Sequence, residues 1–135
     1  MKSSILLFVV AMLSGVPSQN STPQGFVTIL QKAFENQLSD IQIQGNGVVT
    51  RILSDDLEVP RHQRFILRIS PQQTVLVAHN IDVAERVPGL KSGGFVEFYG
   101  VYEWSVEGGV IHWTHHDPDG NHIAGWLRYD GIIYQ

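Results

Sequence analysis

The order of hydropathy periods along the chain predicts a mainly β domain, one amphipathic helix followed by a small antiparallel barrel. Two observations carry this. Between residues 26 and 38 apolar side chains recur at helical spacing, and from residue 41 onward the chain breaks into short alternating runs separated by Gly, Pro, Asp and Asn. The composition agrees: of 135 residues, 43% are hydrophobic and 16% charged, as in a globular chain long enough to bury a core.

The helix is predicted from Thr22 as N-cap and Pro23 at the first helical position. Phe26, Ile29, Leu30, Ala33, Phe34 and Leu38 then form one stripe over about four turns. Ile41 to Leu53 reads as the first strand, with Gly45 and Gly47 marking a bulge or sharp coil. Gln63 to Ile69 alternates, with Phe65, Leu67 and Ile69 inward and Arg64 and Arg68 outward. Thr74 to Ile81 follows a turn at Pro71-Gln72, a register that places Leu67 opposite Leu76 and Arg64 opposite His79. A short helix is predicted near residues 82–91. Phe95 to Val106 and Gly109 to His116 read as two long strands joined at Glu107-Gly108. Residues 125–134 read as a small hairpin on Asp130-Gly131, with Tyr129 opposite Ile132. Five strands with a helical segment between the third and fourth is the order of an OB-like barrel.

The first eighteen residues read differently. Lys2 precedes the apolar run Ile5–Leu13, and Ser14-Gly-Val-Pro-Ser18 follows, the pattern of a secretory signal cleaved near Ser18. The run is about half the length of a membrane-spanning helix. The expected organisation is a signal peptide at 1–18, the helix at 19–40 and the barrel at 41–135. The mature protein is then expected to be periplasmic or secreted, with no transmembrane segment. The chain has no cysteine, which excludes disulfides, thiolate metal sites and a Cys nucleophile. Nine basic against 13 acidic residues give a net charge of −4, which argues against nucleic-acid binding through bulk charge.

Arg61-His-Gln-Arg-Phe65, Ala78-His-Asn-Ile-Asp82, Tyr102-Glu-Trp104 and Gly108-Gly-Val-Ile-His-Trp-Thr-His-His-Asp-Pro118 closely resemble a family of small exported bacterial proteins of unknown function. The likeness spans residues 47–135. Ser105 stands where Asn is common in that pattern, and Gly94 where an Asp usually precedes the fourth strand. The resemblance implies a bacterial periplasmic or secreted setting and lends no activity.

All six histidines lie between residues 62 and 122. With the hairpin turn at Glu107-Gly108, Trp104 faces Ile111 and Tyr102 faces Trp113 on an inward face. Glu97, Tyr99, Glu103, His112, Thr114 and His116 then share the outer face. A Glu103–His112 pair would raise the imidazole pKa. Arg64, Arg68, His79, Glu103, His112 and His116 are therefore the candidate ligand-binding residues. Glu103, His112, His116 and Arg64 are the candidates for catalysis. His116, Asp117 and His122, gathered around a turn, are the candidate ligands for a divalent metal, the cofactor considered for this chain. A second stretch, Arg51, Asp55, Asp56, Glu58, Arg61 and Arg64, holds the residue types of a metal-dependent nuclease without a complete motif. The sequence favours a non-catalytic module recognising a ligand or an envelope protein. The alternative is a divalent-metal-dependent hydrolase, such as a nuclease.

Overall fold

The computed structural model describes residues 25–135. The signal-like segment and the Thr22-Pro23 helix start lie outside these residues. Helix α1 (Gly25–Glu35) buries Phe26, Leu30 and Ala33. Its last turn closes where Gln37 takes a left-handed φ of 55° and the Leu38 amide donates to the Ala33 carbonyl at 2.8 Å. None of the described helices is long and apolar enough to cross a membrane.

Seven strands follow: β1 (Ile41–Ile52), β2 (His62–Ser70), β3 (Gln73–Asn80), β4 (Phe95–Glu103), β5 (Val110–His112), β6 (Trp126–Tyr129) and β7 (Ile132–Tyr134). The long β1 pairs through residues 41–48 with β4 and through residues 48–52 with β2. The sheet order β1-β2-β3-β5-β4 thereby returns to β1 and closes a five-stranded barrel, compatible with an OB-like one. Among the described residues, only β3 and β5 pair in parallel. The β6–β7 hairpin is added to the half of β4 that β5 does not reach. Its turn at Asp130-Gly131, both with positive φ, sets Tyr129 opposite Ile132 as expected.

The core is filled from every barrel strand, by Ile43, Phe65, Val77, Phe98 and Ile111 among others. The α1 stripe caps it, with Phe26 edge-on to Phe98 at 6.1 Å. Gly45 makes this seat possible, because a Cβ there would run into the Phe26 ring. The β1 bulge itself lies later than the glycines, between Val49 and Arg51.

Several expectations are corrected. The segment between β3 and β4 forms turns and no regular helix; Pro88 and the left-handed Gly89 and Gly93 interrupt it. The β2–β3 turn lies at Pro71-Gln72, but a register shift between Arg68 and Ser70 moves the ladder by one residue. Leu67 then pairs with Val75 and Arg64 with Ala78, and His79 turns inward opposite Gln63, fully buried.

The β4–β5 hairpin is also displaced, here by two residues, so the inward and outward faces hold. Tyr102 pairs with Ile111, and Glu103 faces Val110 instead of His112. The turn is wider than two residues. Gly108 and Gly109 both have positive φ, and the Ser105 hydroxyl accepts the Gly109 amide at 3.0 Å. β5 is three residues long, because Trp113 adopts a φ of 55° and ends the alternation. Thr114, expected outside, is fully buried. Trp104 packs half-buried against Phe34 at 6.4 Å and donates its indole N–H to the Phe34 carbonyl; Trp113 lies half-buried outside the core cluster.

Candidate functional site

Residues from β2, β3, the turn after β3 and the segment after β5 meet at one end of the barrel and enclose a cleft of about 390 Å³. His62 and Asn80, opposite each other at the ends of β2 and β3, form one wall. His112, Trp113 and His115 form another, and Asp117, Pro118 and Asp119 form the rim. The volume falls in the lower range of small-ligand sites.

Trp113 is the pivot of the cleft. A bulky side chain in the left-handed region costs about 1–2 kcal/mol. Stacking offsets part of this: the His122 ring lies 3.9 Å from the indole at 9°, and the His115 ring 4.9 Å away at 30°. The loop that brings His122 back is tied by Asp117, whose carboxylate accepts the amides of Asp119 at 3.0 Å and Asn121 at 2.9 Å. Those amides, the Asp119 one foremost, hold the Asp117 carboxyl below its usual range.

His62 is oriented by a carboxylate. Asp56 accepts the His62 amide at 2.6 Å and meets its Nδ1 at 2.9 Å. A carboxylate accepts, so Nδ1 carries the proton and Nε2 is left with a lone pair when the ring is neutral. The His62 amide, and after it the imidazole, lowers the Asp56 pKa. Asp55 pairs with Arg86, and Arg61 forks onto Asp82 at 2.8 and 3.0 Å. The β1–β2 loop is thus pinned to the turns after β3. These pairs account for Asp55, Asp56 and Arg61 of the nuclease-like stretch; Arg51 lies exposed on the β1 bulge.

Beneath the cleft, His79 is fully buried and both ring nitrogens are bonded. The Glu85 carbonyl, 2.9 Å from Nε2, can only accept, so Nε2 donates. Nδ1 therefore accepts from the Thr114 hydroxyl at 2.7 Å. Burial pushes the His79 pKa down to about 4. The side chain ties β3 to both flanking loops and has no nitrogen left for a ligand.

The other expected site residues disperse. Arg64 donates its Nε to the Ser54 carbonyl at 3.0 Å. Arg68 is exposed four residues further along β2, roughly 13 Å away by strand rise. Glu103 accepts the Asp40 amide at 2.9 Å and stays 4.0 Å from His112 Nε2. Burial outweighs that carboxylate, so the His112 pKa is lowered, the reverse of the expected direction. His116 is exposed and does not line the cleft; its carbonyl accepts from His115 Nδ1 at 2.6 Å. His115 itself is held below the usual imidazole range by burial. Asp117 lines the cleft and His122 stacks behind it, but no three His, Asp or Glu side chains among the described residues are placed to hold a metal ion.

Of the expected residues, the cleft thus keeps His112 and Asp117, Asp56 of the nuclease-like stretch orients one of its wall residues, and His62, Asn80, Trp113 and His115 are added. The density of histidines in Arg61–Phe65 and His112–Asp117 signals two of these additions. Nothing in the sequence signals a left-handed tryptophan.

No curated protein matches the chain. A family model described as a protein of unknown function (DUF3465) matches residues 11–135, in accord with the resemblance carried by the histidine-rich motifs, and the chain therefore belongs to the DUF3465 family.

Proposed function

We propose that this chain is an exported bacterial binding module, non-catalytic, that takes a small polar ligand in the cleft around Trp113. The observation behind this reading is the strained indole itself. A left-handed tryptophan stacked on one imidazole and tilted against a second, beside an Asp-oriented histidine, is costly to maintain and poises aromatic and hydrogen-bonding groups in one concavity. An NMR screen of small polar fragments against the ¹⁵N-labelled protein tests it. Shifts are expected to gather at residues 62, 80 and 112–119; hits scattered over the surface, or none, would count against it. Export is tested by expressing the whole chain in a bacterium. The periplasmic or secreted product should begin near residue 19.

One observation favours the hydrolase reading, the Asp56–His62 pair, since a carboxylate-held imidazole is a form that general bases take. The binding-module reading expects DNA and RNA to survive incubation with the protein, with or without divalent cations. Degradation that disappears in His62→Ala would replace it with the hydrolase.

A further inference from the structure

The charged and lone-pair groups of the cleft around Trp113 are acceptors. Two of its lining histidines share one tautomer. His62 Nδ1 donates to Asp56 at 2.9 Å, and His115 Nδ1 donates to the His116 carbonyl at 2.6 Å. In each neutral ring the lone pair is left on Nε2, which has no hydrogen-bond partner among the described residues. Burial keeps His115 below the usual imidazole range, so its ring is neutral near pH 7. His115 is 5% exposed, yet its Nε2 is not sealed: the shielded nitrogens without partners are those of Gln42 and His112. The Nε2 atoms of His62 and His115 therefore stay within reach of solvent. Native folds leave few polar atoms of enclosed side chains unpaired, and those they leave need an explanation.

The rim supplies one. Asp117 and Asp119 line the cleft, and among the described residues no lysine or arginine does. The Asp119 and Asn121 amides keep the Asp117 carboxyl ionised. The guanidiniums of the flanking loops are paired elsewhere, Arg61 with Asp82 and Arg86 with Asp55. The donors of the lining, the Asn80 carboxamide and the Trp113 indole, are uncharged. Carboxylates with no facing cation focus a negative potential in a concavity, which does not match an anion. A metal ion would need three donor atoms converging at about 2 Å, and no such group is present among the described residues. A quaternary ammonium is held by open aromatic faces, whereas the Trp113 ring is already engaged by His122 at 3.9 Å and His115 at 4.9 Å. A primary ammonium fits. Its N–H groups take separate acceptors at hydrogen-bond length, about 2.7–3.0 Å, and its charge meets the carboxylates.

We propose that the cleft binds a primary alkylammonium ion, whose N–H groups donate to acceptors of His62, His115 and the Asp117–Asp119 rim. This rests on the cleft reading and names the charge and donor class of its ligand.

The test titrates the full chain, expressed in a bacterium and labelled with ¹⁵N, with butylamine and 1,4-diaminobutane. Both are protonated at neutral pH, as a lysine side chain is. Butanol, butyrate and tetramethylammonium are the matched controls at constant ionic strength, and zinc chloride is run alone. Concentrations run to about 20 mM, enough to show millimolar binding. At least one amine is expected to shift residues 62, 80 and 112–119, with every control silent or about tenfold weaker. Asp119→Asn on the exposed rim should weaken that amine several-fold. His115→Phe keeps a ring beside Trp113 without its nitrogens and should weaken it about tenfold, the equivalent of one charge-assisted hydrogen bond. Its melting temperature checks that it folds; where it does not, His62→Ala takes its place. Glu35→Gln on α1, which packs at the Gln73 end of β3, removes the same charge as Asp119→Asn and should change nothing. A control that binds at these residues as tightly as the amines overturns the proposal and leaves the cleft reading standing. So does silence from both amines while other polar fragments shift the same residues. Silence from every fragment overturns both. Amine binding that Asp119→Asn and the histidine variant leave untouched, or shifts that follow zinc alone, overturn the proposal as well.

Discussion

The β2–β3 and β4–β5 ladders belong to the same barrel and do different work. The first runs the length of both strands, from His62–Asn80 to Ser70–Gln73, and alternates buried and outward residues with one register shift. The second has three pairs, flanked by left-handed Gly108 and Gly109 on one side and Trp113 on the other. The long ladder forms the wall that excludes water. The short one releases the chain early, so residues 113–125 loop over the barrel end and carry the imidazoles there. Rigid pairing supports the site, and its interruption shapes it.

The sharpest way to break this division is to remove a wall residue. Phe65→Ala on β2 empties a fully buried position and should cost about 3–5 kcal/mol in urea unfolding. A cost under about 1 kcal/mol would mean that the wall is not where stability resides.

The pH dependence of stability joins the two regions through His79. Its folded pKa of about 4 lies below the ordinary imidazole value of 6.5, so between those values the unfolded chain binds the extra proton. Stability from this group is complete above pH 6.5 and is lost as pH falls towards 4, by about 3 kcal/mol in all. Unfolding midpoints measured across this window should show the slope in the wild type and a flatter one in His79→Gln. An equal slope in both would remove His79 from the account.

Trp113→Gly should cost less than the wall change. It relieves the left-handed strain while losing two ring contacts and part of a half-buried indole, a net loss of about 1–2 kcal/mol. Fragment binding in the cleft should disappear with it. The smallest effect is expected at the β6–β7 turn. Asp130→Asn places the residue best suited to a φ of 57° before Gly131 and should raise stability by roughly half a kcal/mol.

The same contrast explains how far the sequence could be read. Alternation at Phe65, Leu67, Tyr102 and Ile111 marks faces that become core, so these strands and their order were legible, whereas the expected β3 register put Val75 and Val77 outside with His79. The Asp130-Gly131 turn was legible because only a few residue pairs suit it. Register was not. The irregularity between Arg68 and Ser70 has no compositional mark, yet it carries His79 from the outer surface to the interior. The two-residue displacement at Ser105–Gly109 preserves the faces and removes the Glu103–His112 pairing. The cleft needed tertiary information twice, for the backbone of Trp113 and for the Asp56–His62 pair, which comes from a loop and a strand end with no shared period.

The buried imidazole of His79 also offers an observable. Its Nε2 proton is held by a backbone carbonyl and sealed from solvent, so it should exchange slowly and resonate downfield of the amide envelope in a proton spectrum. A single well-separated line would then report, without any label or ligand, whether the loops flanking β3 are seated, and its broadening would time their opening.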